Sequence, residues 1–355
     1  MIVIHAPGKL MIAGEYAVLG PDGEALAVAV EPGFACEATP AARWSLVRND
    51  AGAEVEVPFT PDPTRTSYVG VPEAARFAIA AVDHALATLG EAPAPLRLVT
   101  RTLAAATGDR KPGVGGSAGA SVVVAGAVLA AGGVAVSADR VLPVALAAHW
   151  AGQNGAGSGY DVATIAHGGL IRWRRALLAG PGAFPWQADA LPWPPAFELI
   201  AGYSGRSAKT TRFVGRLEAL AAADPPRIRR ALGALGAPVS ALGARLANGS
   251  VSGLLEGVRA CHAALCAFDA ELDLGILTSE LTAMIAHAEA EGAAAKVSGA
   301  GGGDSVIALA HQPEVLAAVA ERWRRHGFEP LPLVLAERGV RQQTGEPTAA
   351  DRFTK

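Results

Sequence analysis

One segment constrains the fold more than any other. Lys111-Pro-Gly-Val-Gly-Gly-Ser-Ala-Gly-Ala-Ser121 runs straight into an almost wholly apolar stretch that ends near Ala131. The stretch predicts a helix with no polar face, which other elements must enclose on every side. Gly113, Gly115 and Gly116 give the backbone conformations closed to other residues and expose successive N–H groups. Placed where a helix begins, those groups and the helix dipole form an anion site. Ser117 adds a hydroxyl able to meet a phosphate-bound Mg²⁺. A glycine-rich turn before a core helix also fits this loop taken alone.

Two familiar phosphate loops do not fit. The segment lacks the Gly-x-x-x-x-Gly-Lys-Ser/Thr spacing of a Walker A loop. Gly113-x-Gly115-x-x-Ala118 matches a dinucleotide fingerprint loosely, with Asp139 downstream, but that fingerprint needs a hydrophobic strand before it. The residues there, Thr107-Gly-Asp-Arg-Lys-Pro112, are polar. Asp139 follows Ser137 at a natural helix start, where capping explains it.

A second glycine cluster lies in the other half of the chain, at Ser298-Gly-Ala-Gly-Gly-Gly-Asp304. A hairpin turn rarely needs so many glycines, and close approach of the backbone to a ligand is a second reason for them. Two such loops in different halves point to a site between domains. Asp161, in Gly157-Ser-Gly-Tyr-Asp-Val-Ala-Thr164, is flanked by small residues and suits either a cleft or a helix N-cap. Lys9, in Ala-Pro-Gly-Lys, is ambiguous alone, and Glu15 and Tyr16 add little. His149 and His167 have no partner at ligand spacing and read as ordinary core or surface histidines. Gly155-Ala-Gly-Ser-Gly is only a scrambled nucleophile elbow.

The 355 residues leave room for about two domains, and 51% are hydrophobic against 18% charged. That excludes a disordered chain. The formal charge of −3, without a long basic block, gives no reason to propose a nucleic-acid ligand. Met1-Ile-Val-Ile-His-Ala-Pro has neither a basic nor a long apolar region, so no signal peptide is expected. No apolar run is long enough to span a membrane. Cys36, Cys261 and Cys266 fit no metal or redox spacing. The expected setting is reducing and cytoplasmic.

Mixed strands and helices predict an α+β chain. Short strands are expected at Ile2–Ile4, Leu10–Ile12 and Ala25–Val30, with turns at Ala6–Lys9 and Gly20–Gly23. Val55 and Val57 alternate with charge, as in an exposed strand. Helices are expected over 72–89 and 138–150, and Leu96–Val99 reads as a strand. Five prolines between 180 and 196 suggest a domain boundary. Beyond it come a strand at Phe197–Ala201 and helices near 211–223, 226–247 and 251–268. Leu277, Leu281, Met284, Ile285 and Ala288 follow a helical period that Gly292 ends. A strand at Val306–Leu309, a helix at 313–326 and a strand at Leu331–Leu335 close the fold, and the polar tail after about Gln342 should fray.

Taken in order, three of these segments resemble the GHMP kinase superfamily. Ala6-Pro-Gly-Lys-Leu-Met-Ile-Ala-Gly-Glu-Tyr-Ala-Val-Leu19 is similar to its first motif, Pro112–Ala120 to its phosphate loop, and Lys296–Asp304 to its third motif. Gly14-Glu-Tyr-Ala-Val-Leu, Gly157-Ser-Gly-Tyr-Asp-Val-Ala and the ending Gly-Gly-Gly-Asp304 are most similar to the phosphomevalonate kinases of that superfamily. There is one departure. The usual Gly-Leu-Gly-Ser-Ser reads Gly-Val-Gly-Gly-Ser here, so Gly116 lacks a hydroxyl, while Ser117 remains.

The resemblance implies a two-domain GHMP kinase fold: a ribosomal-S5-like unit over residues 1–185 and a ferredoxin-like unit over 190–342, followed by a tail at 343–355. It implies ATP-dependent phosphorylation of (R)-5-phosphomevalonate to 5-diphosphomevalonate with Mg²⁺. The same superfamily includes mevalonate kinase and decarboxylases, and a non-catalytic ligand-binding descendant is a further class. By motif position, Lys9, Lys111 and Asp161 are the catalytic candidates. Gly113, Gly115, Gly116, Ser117, Ala118 and Gly119 would hold ATP, with Ser117 on the metal. Many relatives place a glutamate upstream of the aspartate as a metal ligand; here Gln153 stands nearby. Lys9, Ser158, Ser298, Gly299, Ala300, Gly301 and Asp304 are substrate-side candidates. From residue chemistry, Arg206, Ser207, Lys209 and Thr211 are candidates for holding the phosphate already on the acceptor. The oligomeric state is not readable.

Overall fold

The first strand, β1 (Ile2–Ala13), is longer than its sequence suggests. Where a turn at Ala6–Lys9 is expected, the strand continues, paired antiparallel with β2 (Glu24–Pro40). Pro7 has no N–H for the ladder, and the pair accommodates it by a shift of register: Ala6 faces Phe34 and Gly8 faces Val30, the extra residues lying on β2. The strand therefore carries Lys9 through the protein's interior, buried from Ile4 to Ala13. This computed structural model describes residues 1–20, 23–50, 53–103, 113–155, 157–175, 186–206, 210–250 and 252–343.

Around the β1–β2 pair a nine-stranded sheet is built. β5 (Leu96–Thr102) lies antiparallel beside β2, β3 (Ser45–Asp50) runs parallel to β5, and β4 (Ala53–Pro58) forms the outer edge. Val55 is exposed on that edge strand, as its alternation with glutamates predicts. β6 (Leu170–Arg175) pairs with the start of β2 and with β7 (Trp186–Leu191). The expected proline-rich boundary is thus described only from residue 186, where the chain still belongs to this sheet.

On one face lie α1 (Glu73–Thr88), α2 (Gly116–Ala131), α3 (Ala138–Gly152) and α4 (Tyr160–His167). α2 packs against β1, β2 and β5 on one side and against the other three helices on the other. Its valines 122, 123, 124 and 128 are fully enclosed, each contributing roughly 1.5–3 kcal/mol of burial. The apolar run has no polar face because it has no solvent face.

The second sheet has four antiparallel strands in the order β11 (Glu329–Leu331), β8 (Glu198–Tyr203), β10 (Ser305–Ala310), β9 (Ala294–Ser298). α8 (Ser279–Ala290) and α9 (Pro313–Arg325) pack on it, and the helices α5 (Thr210–Ala223), α6 (Pro225–Ala247) and α7 (Leu254–Leu272) complete this half. α6 reaches across to β2 and α7 to β1.

The single strand expected at Leu331–Leu335 is two strands in different sheets. β11 joins the second sheet, while β12 (Val334–Leu335) pairs with β2 and β13 (Arg341–Gln342) with β1 in the first. Pro332 cannot donate to a ladder, and the chain turns there, the Leu333 N–H bonding to the Leu331 carbonyl. From residue 344 the expected frayed tail lies outside the described residues. Among the described residues no helix is long and apolar enough to cross a membrane, and all three cysteines are free.

Candidate active site

Four pieces of chain meet where the two sheets face each other. Lys9, from β1, is buried, and its main-chain N–H bonds to the Val114 carbonyl at 3.0 Å. Its ammonium reaches the Gly113 carbonyl at 3.3 Å and lies 5.5 Å from the centre of the Tyr160 ring. Burial would lower its pKa, but the Tyr160 hydroxyl, Asp161 and Asp304 together more than offset this and hold it above the ordinary lysine value. The group is therefore a fixed positive charge.

Two of the three glycines of the phosphate-loop candidate behave as their sequence predicts, and Gly116, an ordinary helical residue, does not. Gly113 and Gly115 have positive φ, and Gly115 is the left-handed residue that opens α2. Gly119 is the first of the helix whose N–H is committed, to the Gly115 carbonyl at 2.8 Å. Among the described residues nothing outside the helix takes the N–H groups of Gly116, Ser117 and Ala118, the donors that any helix start leaves over, with the positive end of the dipole behind them. Gly119 has a packing reason instead: a Cβ there would meet the Phe34 ring at 2.3 Å. Gly116 faces open space. Lys111 lies outside the described residues.

Asp161 sits in the first turn of α4, one residue beyond Tyr160, with Gly159 as the capping residue. One carboxylate oxygen accepts the Val162 N–H at 2.9 Å, and the other is 3.8 Å from His149 Nε2. That histidine carries more than its sequence context suggests. It is buried in α3, its ring tilted against Phe77, with Nε2 at 3.2 Å from Ser117 Oγ and 3.0 Å from Gln153 Nε2. Burial lowers its pKa and Asp161 only partly offsets that, so the ring is neutral. The Gln153 four residues on was the only signal of this in the sequence.

The second glycine cluster turns between β9 and β10 beside the phosphate loop. A Cβ on Gly113 would lie 3.2 Å from Ser305 Oγ and 3.6 Å from Asp304 Cβ. Gly299, Gly301, Gly302 and Gly303 all have positive φ, and Asp304 adopts it too. Several candidates here are engaged with the protein itself. Ser298 Oγ accepts the Met11 N–H at 2.9 Å, and the Ala300 carbonyl accepts the Tyr16 hydroxyl. A Cβ on Gly301 would meet Ile276. Below this loop Lys296 and Glu15 form a buried pair at 2.5 Å, which links two motifs and which neither residue announces in the sequence. The Ser158 carbonyl accepts the Trp173 indole N–H at 3.0 Å.

The acceptor-side candidates are only partly in view. The Arg206 side chain is exposed, and its guanidinium bonds to Glu280 at 3.0 Å. Its carbonyl accepts the Asp304 N–H at 2.7 Å, which fastens this segment to the glycine loop. Ser207, Lys209 and the side chain of Thr211 lie outside the described residues. Among the described residues no three His, Cys, Asp or Glu side chains cluster as a metal site.

Residues 244–329 match the family model for the C-terminal part of GHMP kinases. The chain is 32% identical to phosphomevalonate kinase of Streptomyces sp. strain CL190, over 96% of this chain and 98% of that protein. In fold it is similar to a Listeria innocua protein, with 24% identity, a TM-score of 0.84, and 97% of this chain and 99% of that one covered. It is also similar to Streptococcus pneumoniae phosphomevalonate kinase in complex with phosphomevalonate and AMPPNP, with 22% identity and a TM-score of 0.76, covering 94% of this chain and 100% of that one.

Proposed function

The chain belongs to the GHMP kinase family, in its phosphomevalonate kinase branch, and from that membership we propose how its own residues serve the reaction ATP + (R)-5-phosphomevalonate → ADP + 5-diphosphomevalonate. The observation that carries the reading is the meeting of Lys9, Asp161 and the open start of α2 at one place.

Phosphoryl transfer asks for positioning and charge neutralisation more than covalent chemistry. The N–H groups at the start of α2 receive the ATP phosphates. Lys9, held charged between Tyr160, Asp161 and Asp304, faces the γ-phosphoryl group as it moves. An oxygen of the acceptor's phosphate attacks that phosphorus, the bond to ADP breaks, and the bridging oxygen leaves with ADP. The acceptor is a phosphomonoester whose second pKa is about 6, so it arrives largely without a proton. Asp161 then serves mainly to orient the acceptor through Lys9 and takes up a proton only from the monoanion. Lys111, by motif position, would meet the β,γ oxygens.

A divalent cation fits the residues present. Ser117 offers a neutral hydroxyl, and the Asp161 carboxylate lies near the same imidazole; hard oxygen donors of this kind suit Mg²⁺, which keeps several waters and binds chiefly through substrate phosphates. Ser117 would hold it, and when bound it supplies neutralisation of the β- and γ-phosphate charge. The Gln153 amide bonds to His149 and adds no charge. With ATP and a phosphorylated acceptor as reactants, the cytoplasm is the proposed setting.

The test is a coupled ADP-release assay with mevalonate, phosphomevalonate and diphosphomevalonate as acceptors, with CO₂ release followed in parallel. Turnover confined to phosphomevalonate, without CO₂, is the expected result. ADP release only with mevalonate, or CO₂ from diphosphomevalonate, would replace it with another activity of the family.

A further inference from the structure

We propose that His149 is a positioning residue for this reaction: its Nε2 accepts the Ser117 hydroxyl proton and so turns the Ser117 oxygen lone pairs toward the metal–nucleotide. The inference rests on the reading of the α2 start as the ATP phosphate site.

Three contacts converge on one nitrogen. His149 Nε2 has Gln153 Nε2 at 3.0 Å, Ser117 Oγ at 3.2 Å and Asp161 Oδ2 at 3.8 Å. With the Gln153 amide nitrogen, which only donates, turned to the ring, Nε2 is the acceptor, its one lone pair shared between that amide and the Ser117 hydroxyl, and the ring proton sits on Nδ1. Gly157 makes room for this orientation of the amide: a Cβ there would lie 2.4 Å from Gln153 Oε1. The Phe77 ring lies tilted against the imidazole at 5.2 Å between centroids.

The consequence for Ser117 follows from hydroxyl chemistry. A hydroxyl that holds a cation must give its proton to some other acceptor, and His149 is placed to take it. Without that acceptor the hydroxyl rotates, and its proton points at the cation for part of the time. Groups that orient a metal-binding side chain commonly matter about 10–100-fold in metal affinity.

Two substitutions separate orientation from packing. His149→Phe keeps a flat ring against Phe77 and loses the acceptor; His149→Gln keeps a polar atom near the Nε2 position. The readout is Mn²⁺ affinity in the presence of AMPPNP, from the free Mn²⁺ signal in electron paramagnetic resonance, so no turnover is needed. His149→Phe should weaken Mn²⁺ about ten-fold or more, and His149→Gln should restore most of that. Ser117→Ala should match His149→Phe, and the double variant should be no weaker than Ser117→Ala alone. Wild-type Mn²⁺ affinity in His149→Phe, or losses that multiply in the double variant, would overturn the role of His149 while leaving the nucleotide site standing. Failure of the unmutated enzyme to bind AMPPNP, measured by calorimetry, would overturn both.

Discussion

The Lys296 ammonium and the Glu15 carboxylate meet at 2.5 Å with both side chains buried, 281 positions apart in the chain. Lys296 comes from β9 of the second sheet, and Glu15 follows β1 of the first, the strand that carries Lys9. The Gly299 N–H approaches the same carboxylate oxygen at 3.5 Å, and the Met11 N–H donates to Ser298 Oγ at 2.9 Å. Together these contacts fasten β1 to the glycine loop beside it.

Removing one partner of such a pair leaves a buried charge uncompensated. Glu15→Gln and Lys296→Met should each cost about 3–5 kcal/mol of stability, read from urea denaturation. Replacing both, as Glu15→Leu with Lys296→Met, should recover more than half of that loss, because the surviving charge is gone. A loss below about 1 kcal/mol in both single variants, the range of an exposed pair, would show that the pair is not holding the sheets together.

Lys9 and Asp161 should act on rate. Lys9→Met and Asp161→Asn are each expected to lower kcat by about 10²–10⁴. Circular dichroism should show the fold retained in both. If Asp161 works mainly by orientation, as an already ionised acceptor implies, the logarithm of kcat for Asp161→Asn should change little from pH 6.5 to 8. Near-wild-type kcat in both variants would remove the two residues from the chemistry.

The adjacent glycines 115 and 116 should behave oppositely. Gly115 has φ +94°, and a Cβ there would lie 3.2 Å from Cγ and Cε of Lys9 and 3.3 Å from Ile165. Gly115→Val therefore incurs left-handed strain of about 1–3 kcal/mol and displaces Lys9, so kcat should fall along with nucleotide affinity. A Cβ on Gly116 meets nothing within 4 Å. Gly116→Ser should fold as the parent does, gain a few tenths of a kcal/mol (~0.3) in helix propensity, and bind ATP at least as well. Calorimetric AMPPNP binding checks both; equal affinities in the two variants would mean that the loop is only a turn.

Much of the fold was legible because single elements carry one clear period. The enclosed helix α2, the long helix α6 and the stop of α8 before Gly292 follow from spacing alone. The extent of β1 and β2 did not, because Pro7 reads as part of a turn until a partner strand supplies the ladder, and the strand expected at Ala25–Val30 runs on to Pro40 only through that pairing. The division between β11 and β12 rests on Pro332, whose effect depends on which sheet is near. In the candidate site, the two glycine loops, Lys9 and Asp161 were readable by motif. His149 was not, since its partners Ser117 and Asp161 lie on other elements. Glu15 and Lys296 were missed for the same reason: buried pairing is a property of two distant residues, and neither has a local pattern.

Acid should destabilise the protein in a defined window. His262 is pushed down to about 4, by burial first and by the Lys296 charge second. An unfolded histidine titrates near 6.5, with about that value as reference. Between these values the unfolded chain binds a proton that the native state refuses, so stability is complete above about pH 6.5 and falls as pH drops toward 4. The half-buried imidazole of His84 and the buried one of His149 shift in the same direction. His262→Gln should flatten this part of the stability profile, and the His262 ring resonances should titrate near 4. A midpoint near the ordinary value would refute the burial and the charge contact together.

Acceptor recognition gives the most demanding prediction, because Arg206 already has a partner. Its guanidinium bonds to Glu280 at 3.0 Å with its side chain 63% exposed, and an exposed pair of this kind is worth only about 0–1 kcal/mol. A hydrogen bond to a phosphate dianion is worth about 1.5–3 kcal/mol, enough to draw the side chain away. Arg206→Ala should therefore raise KM for phosphomevalonate about ten-fold or more, with a smaller fall in kcat and an unchanged KM for ATP. Glu280→Gln removes the competing carboxylate and should lower the same KM by no more than about five-fold, the most that an exposed pair can withhold. If Glu280→Gln instead raises KM as far as Arg206→Ala does, the carboxylate holds the arginine in its working position. If Arg206→Ala leaves KM for phosphomevalonate unchanged, or harms only ATP, the acceptor's phosphate is held elsewhere.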